Sequence, residues 1–177
     1  IPSGDILISD KQDNLLTTTF NELVFNNYIP SVTVLFRNKP LPERMSKWIQ
    51  QFPYGDWPTY LWVTEGGGKI YFLNEVTAVY RKNFGTSTFL RQGRNKIGEI
   101  NLLILQNILK DRTFINKKRN VKASIVNHKT GLMANYNKEG EFSKSLRCLS
   151  ELIFHASPLK MFRIYIYSLK RTFFHLN

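Results

Sequence analysis

The sequence predicts an α+β fold: a small, incomplete sheet with helices packed around it over residues 1–90, followed by a mainly α-helical region over residues 91–177. Three observations predict it. β-rich runs are confined to the first half, at Val32 to Arg37 and Ile70 to Arg81. Apolar residues at three- and four-residue spacing recur in the second half, as an amphipathic helix requires. The charge divides in the same place: residues 1–80 hold six Lys/Arg against eight Asp/Glu, and residues 81–177 hold nineteen against five, giving −2 and +14 of the total +12. A 177-residue chain that is 42% hydrophobic is long enough to bury a core and is not generally disordered.

Residues 1–17 are polar and without period, which predicts an irregular segment. The opening Ile1-Pro2-Ser3-Gly4-Asp5 has no basic stretch followed by an apolar run, so it does not read as a signal peptide, and the chain is expected to be a piece of a longer protein. Phe20, Leu23 and Val24, with Glu22 in the first turn, predict a short helix that Asn26-Asn27 and Pro30 close. Val32, Val34 and Phe36 alternate with Thr33, Leu35 and Arg37 and predict a strand ended by Asn38-Lys39-Pro40. Met45, Trp48 and Ile49 share one side of a helix within residues 41–52. The break at Phe52-Pro53-Tyr54-Gly55 then leads to a helix of about ten residues, with Asp56 as its N-cap, Pro58 in its first turn and Gly66-Gly67-Gly68 as its stop. Ile70, Phe72, Val76, Ala78 and Tyr80 predict strand segments on either side of a bend at Asn74-Glu75.

Residues 82–87 read as a loop, and residues 96–109 carry helical spacing through Ile97, Ile100, Leu103, Ile104 and Ile108. The basic interval from Lys110 to Lys122 is either a solvated helix face or a linker. From Gly131 onward, Leu132, Met133, Tyr136, Leu146, Leu149 and Leu152 predict a helical hairpin, with Gly140 between its arms. Cys148 is the sole cysteine, which excludes an intrachain disulfide and a cysteine metal cluster; it reads as a small packed residue in a reducing, cytoplasmic setting.

The last stretch, 158–177, mixes aromatic and aliphatic residues with Lys160, Arg163, Lys170 and Arg171 and has no acidic residue. Its longest uncharged run, Ile164 to Leu169, is far below the roughly 20 residues that span a bilayer. Two readings stand: an in-plane helix on an anionic membrane surface, placing the protein peripherally at the inner membrane, or a terminal helix packed on the hairpin. No nucleic acid is the expected partner.

Three blocks carry a resemblance: Asn-Asn-Tyr-Ile-Pro-Ser-Val-Thr-Val-Leu-Phe-Arg-Asn (26–38), Gly-Asp-Trp-Pro-Thr-Tyr-Leu (55–61) and Gly-Lys-Ile-Tyr-Phe-Leu-Asn-Glu-Val-Thr-Ala-Val-Tyr-Arg (68–81). In order and spacing, residues 1 to about 90 resemble the second half of a bacterial family 2 glycosyltransferase of the GT-A fold. The resemblance implies inverting transfer of a sugar from a nucleotide-sugar donor to a glycan or lipid-linked acceptor in cell-envelope polysaccharide synthesis. It implies Asp56 as the general base, Trp57 beside the acceptor and Arg81 on the side of the donor diphosphate; read from the residues alone, Asp56 is a helix cap, Trp57 a core side chain and Arg81 an ordinary surface arginine. Asn83 stands where the family often has a histidine. The Asp-x-Asp motif that holds a divalent metal (Mn or Mg) is not in this sequence, so the metal is expected only in a full-length enzyme and the chain alone is expected to be inactive. The alternative class is a non-catalytic basic helical module that binds a membrane surface or RNA.

Overall fold

The computed structural model describes residues 17–73, 75–76, 78–79 and 95–174. Those residues are mainly helical, with one small antiparallel sheet, which is α+β in the coarse sense. Of the irregular segment expected over 1–17, all but Thr17 lies outside them, as does the loop over 82–87; Thr17 is in a strand, and Val76, Ala78 and Val79 of the expected second strand segment are not.

The sheet pairs β1 (Thr17–Thr19) with β2 (Lys69–Tyr71), Thr18 standing opposite Ile70. The expected strand at Val32 to Arg37 does not form. After Pro30 the chain makes a single 3-10 turn, Ser31–Thr33, because the Pro30 carbonyl accepts from both the backbone N–H of Thr33 (3.0 Å) and its hydroxyl (2.9 Å). Beyond it the backbone has no partner strand among the described residues, and Leu35 points into solvent. The alternation of residues 32–37 is therefore overridden by local bonds to the turn, and β2 finds its partner in the threonines of 17–19 instead.

Helix α1 (Phe20–Leu23) is shorter than its spacing suggests but has a complete capping box: Thr19 Oγ1 accepts from Asn21 N, and Glu22 reaches back to Thr19 N at 2.8 Å. Helices α2 (Glu43–Ile49) and α3 (Asp56–Thr64) follow. α3 is not the half-exposed helix its pattern suggests: Trp57, Pro58, Tyr60, Leu61, Trp62 and Thr64 are all buried, and the chain leaves it at Gly67 with φ +95°. α4 (Lys96–Lys110) forms where the sequence places it. The basic interval after it breaks once, at the extended Asp111, and then continues as the 3-10 turn Arg112–Lys117, kinked at Phe114, and the start of α5 (Lys118–Lys138), so most of it is helix and not linker.

α5 and α6 (Phe142–Leu152) form the expected hairpin, although its first arm begins at Lys118, well before the expected start at Gly131. Gly140 takes φ +75°, its N–H bonds Asn137 O (3.1 Å), and Glu141 N–H bonds Tyr136 O (2.8 Å), the paired reverse bonds of a Schellman turn. α7 (Pro158–Phe174) lays one face on both arms.

Two apolar clusters result. The first joins Phe20, Leu23, Met45, Trp57 and Leu61 with Ile104, Ile108, Phe114 and Val121, so packing runs across the division at residue 90. The second gathers Met133, Leu149, Leu152, Met161 and Tyr165. α5 crosses both, through Val121 at one end and Met133 at the other. Each such side chain, fully buried, contributes about 1.5–3 kcal/mol of transfer free energy.

Candidate functional site

The residues singled out in the sequence meet at the start of α3. Gly55 occupies the cap position and makes no side-chain bond to the helix; Asp56 is the first helical residue, one place later than the expected cap. Gly55 is required there by proximity, since a Cβ on it would lie 2.8 Å from Ile49 Cγ2 at the end of α2. The mouth of α3 is thus pressed against α2. Asp56 is half-buried, and its Oδ1 accepts from Trp57 N at 2.8 Å. Among the described residues Oδ2 takes no hydrogen bond.

Two phenols feel the Asp56 charge. Burial first, and then the carboxylate, raise the Tyr60 hydroxyl to about 12 and push the Tyr54 hydroxyl higher still. Tyr54 donates to Asn101 Oδ1 at 2.7 Å, which ties this corner to α4. The result is a carboxylate on a rigid corner, flanked by neutral hydroxyls.

Trp57 turns the other way. It is fully buried, its Nε1–H donates to Leu23 O at 2.9 Å, and its ring lies 5.7 Å from that of His128. A stacking role against a sugar is therefore corrected: no face of the indole is open. Its work is structural. The end of α1 buries carbonyls that have no intrahelical partner, and Trp57 serves Leu23 while Ser124 Oγ donates to Val24 O (2.6 Å) and His128 bonds the Phe25 backbone. Burial pushes the His128 imidazole below its ordinary value, with the Phe25 bond opposing, and its Nε2 is buried without a partner among the described residues. Arg81 lies outside the described residues.

No group of three or more His, Cys, Asp or Glu side chains gathers in a metal-binding arrangement among the described residues. The residues around Asp56 do not fit a divalent metal, and no step of chemistry is routed through one. Cys148 is half-buried, and burial raises its thiol.

A second polar corner was missed in the sequence. Asp111, 3% exposed at its side chain, accepts from Arg44 Nε (3.0 Å), from Trp48 Nε1 (3.3 Å) and from Thr113 N (2.9 Å), and pairs by charge with Arg44 Nη2 at 2.9 Å, which itself donates to Thr113 Oγ1 (2.6 Å). These groups and Asn107, Lys110 and Arg112 line an open depression of about 380 Å³. Burial alone would raise the Asp111 carboxyl, but the bonds from Arg44, Thr113 and Trp48 outweigh it and hold the group below the usual carboxylate range. The Asp-x-Thr spacing, a turn cap, was the one local signal for it; Arg44 is too distant in sequence to be paired by eye.

No family model, curated protein or solved structure matches this chain.

Proposed function

We propose that residues 1 to about 90 form the acceptor-side part of an inverting, GT-A-type family 2 glycosyltransferase, with Asp56 as general base and the donor-binding strands and metal supplied by polypeptide outside these residues. The three ordered sequence blocks support the reading. The observation that carries it is the placement of Asp56: the cap position belongs to Gly55, and one carboxylate oxygen is left without a partner among the described residues at a rigid helix mouth.

The chemistry needs little more from this half. As the acceptor hydroxyl oxygen attacks the anomeric carbon, its proton passes to the Asp56 carboxylate. The bond from that carbon to the donor phosphate oxygen breaks, the nucleotide diphosphate leaves with the electron pair, and the configuration inverts. Asp56 need not be strongly basic, because the hydroxyl becomes acidic only as the new bond forms.

The test is Asp56→Asn in the polypeptide that carries the donor-binding part, assayed against a panel of nucleotide sugars. Loss of general-base assistance costs about 10²–10⁴-fold in turnover, with circular dichroism unchanged. Undiminished transfer by the folded variant would return Asp56 to a purely structural place. A second reading, a non-catalytic helical module, is favoured by the concentration of basic residues on α5 and α7; it predicts no transfer by any longer form of the protein.

A further inference from the structure

α7 has two faces, and only one is used by the fold. Met161, Tyr165 and Ser168 are buried against α5 and α6, with Ser168 Oγ accepting from Asn137 Nδ2 at 2.6 Å. Opposite them, Leu159, Phe162 and Ile166 recur at three- and four-residue spacing and form one exposed apolar stripe, Phe162 at 54% and Ile166 at 43%, while Phe173, nearer the end of the helix, stacks on Phe142 of α6 with ring centroids 5.7 Å apart. Arg163 and Lys170 run alongside it, and Lys160 and Arg171 lie further round. Leu159, Phe162, Arg163, Ile166, Tyr167 and Lys170 enclose a shallow groove of about 370 Å³. Lys160, Arg163 and Lys170 form no ion pair among the described residues.

We infer that this face docks in the plane of an anionic lipid bilayer. The charge pattern selects that occupant. A second copy of the chain would bring the same row of cations against itself, and the net charge of +12 opposes the approach. RNA would engage the cations but leave Leu159 and Ile166, which have no ring to stack, against phosphate and water. A leaflet edge satisfies both halves of the pattern: acyl chains take the stripe, and headgroup phosphates or carboxylates take the flanking guanidinium and ammonium groups. No helix among the described residues is long and apolar enough to cross a membrane, so the contact is peripheral. This inference holds whether or not the chain belongs to a sugar transferase.

The experiment is co-sedimentation of the whole chain with vesicles of equimolar phosphatidylcholine and phosphatidylserine, with neutral phosphatidylcholine vesicles as the second arm. Binding to the anionic vesicles, weakened by salt and little affected by soluble glycerophosphoserine, is expected. Removing each flanking cation weakens partition about fivefold, so Arg163→Gln with Lys170→Gln should lower it about 25-fold. Phe162→Ser with Ile166→Ser should abolish it, and since all four positions are exposed, circular dichroism should not move. Equal binding by both double variants, absence of binding by the folded wild type, tighter binding to single-stranded RNA, or self-association that masks the face would each overturn the inference.

Discussion

Asp111 is expected to be the most costly single charge in the fold, and Asp111→Asn measures it. The carboxylate stands at the start of the helical run Arg112–Lys138, whose first turns hold Arg112, Lys117, Lys118 and Arg119 and no acidic residue. Cations at a helix N-terminus oppose its dipole, so this one buried carboxylate offsets them while it anchors Arg44 and Trp48 of α2. Asparagine preserves the shape and one acceptor oxygen for Thr113 N, but it removes the charge and turns an N–H towards Trp48 or Arg44. A hydrogen bond to a charged group contributes about 1.5–3 kcal/mol. Arg44 is 55% exposed at its side chain, and solvent screening places the loss towards the lower end, about 2 kcal/mol. In a chain of this size that lowers the melting temperature by about 4–8 °C. Urea unfolding followed by tryptophan fluorescence is the assay, Trp48 being a direct reporter. The pH dependence has a fixed sign: the folded-state carboxyl is depressed, so its contribution is full above the unfolded value and lost as pH falls through the folded one. The gap between wild type and Asp111→Asn should therefore close in strong acid. A loss within about 0.5 kcal/mol, the range of ordinary surface substitutions, or a gap that persists in acid, would refute the reasoning.

Trp57→Phe keeps the apolar volume but removes the shorter of the two bonds to the Leu23 carbonyl, which retains the Asn26 N–H at 3.3 Å, and the cost expected is about 0.5–1.5 kcal/mol; equal stability in urea would show that the bond contributes nothing. His128 is held neutral by burial, so the unfolded chain binds the proton more readily. Stability should fall as pH drops below the ordinary imidazole value of 6.5, by at most about 1.4 kcal/mol per pH unit. His128→Gln should flatten that slope, and a His128 titration by NMR at or above 6.5 would contradict it.

The helix at α4, the second half of α5 and α6 were legible from their apolar spacing and from Gly140, which ends α5; the first half of α5, from Lys118 to Thr130, was not, because its residues are mostly basic and polar. The sheet was not legible. Thr17–Thr19 has β-branched side chains but no alternation, and its pairing with Lys69–Tyr71 is a long-range choice that no local window contains. Val32 to Phe36 had the alternation and lost it to three atoms of Pro30 and Thr33. The same limit hid Arg44 and Asp111, which are brought together only when α2 lies along α4.

Asp56 and Trp57 show what burial adds to a motif. Trp57 is fully buried, whereas Asp56 before it, at the mouth of the helix, is only half-buried. The resemblance implies a base at Asp56 and an acceptor flank at Trp57, and the residues alone imply a cap and a core side chain, with nothing local to choose between them. The structure separates them. Trp57 is held by Leu23 O and packed against His128, and that anchor, with Gly55 seated on Ile49, fixes the direction of the Asp56 carboxylate. Loss of the indole would then loosen Asp56 without touching it. If Asp56 is the base, Trp57→Phe should lower turnover with little change in acceptor KM, whereas a tryptophan that stacked on the acceptor would show its loss in KM.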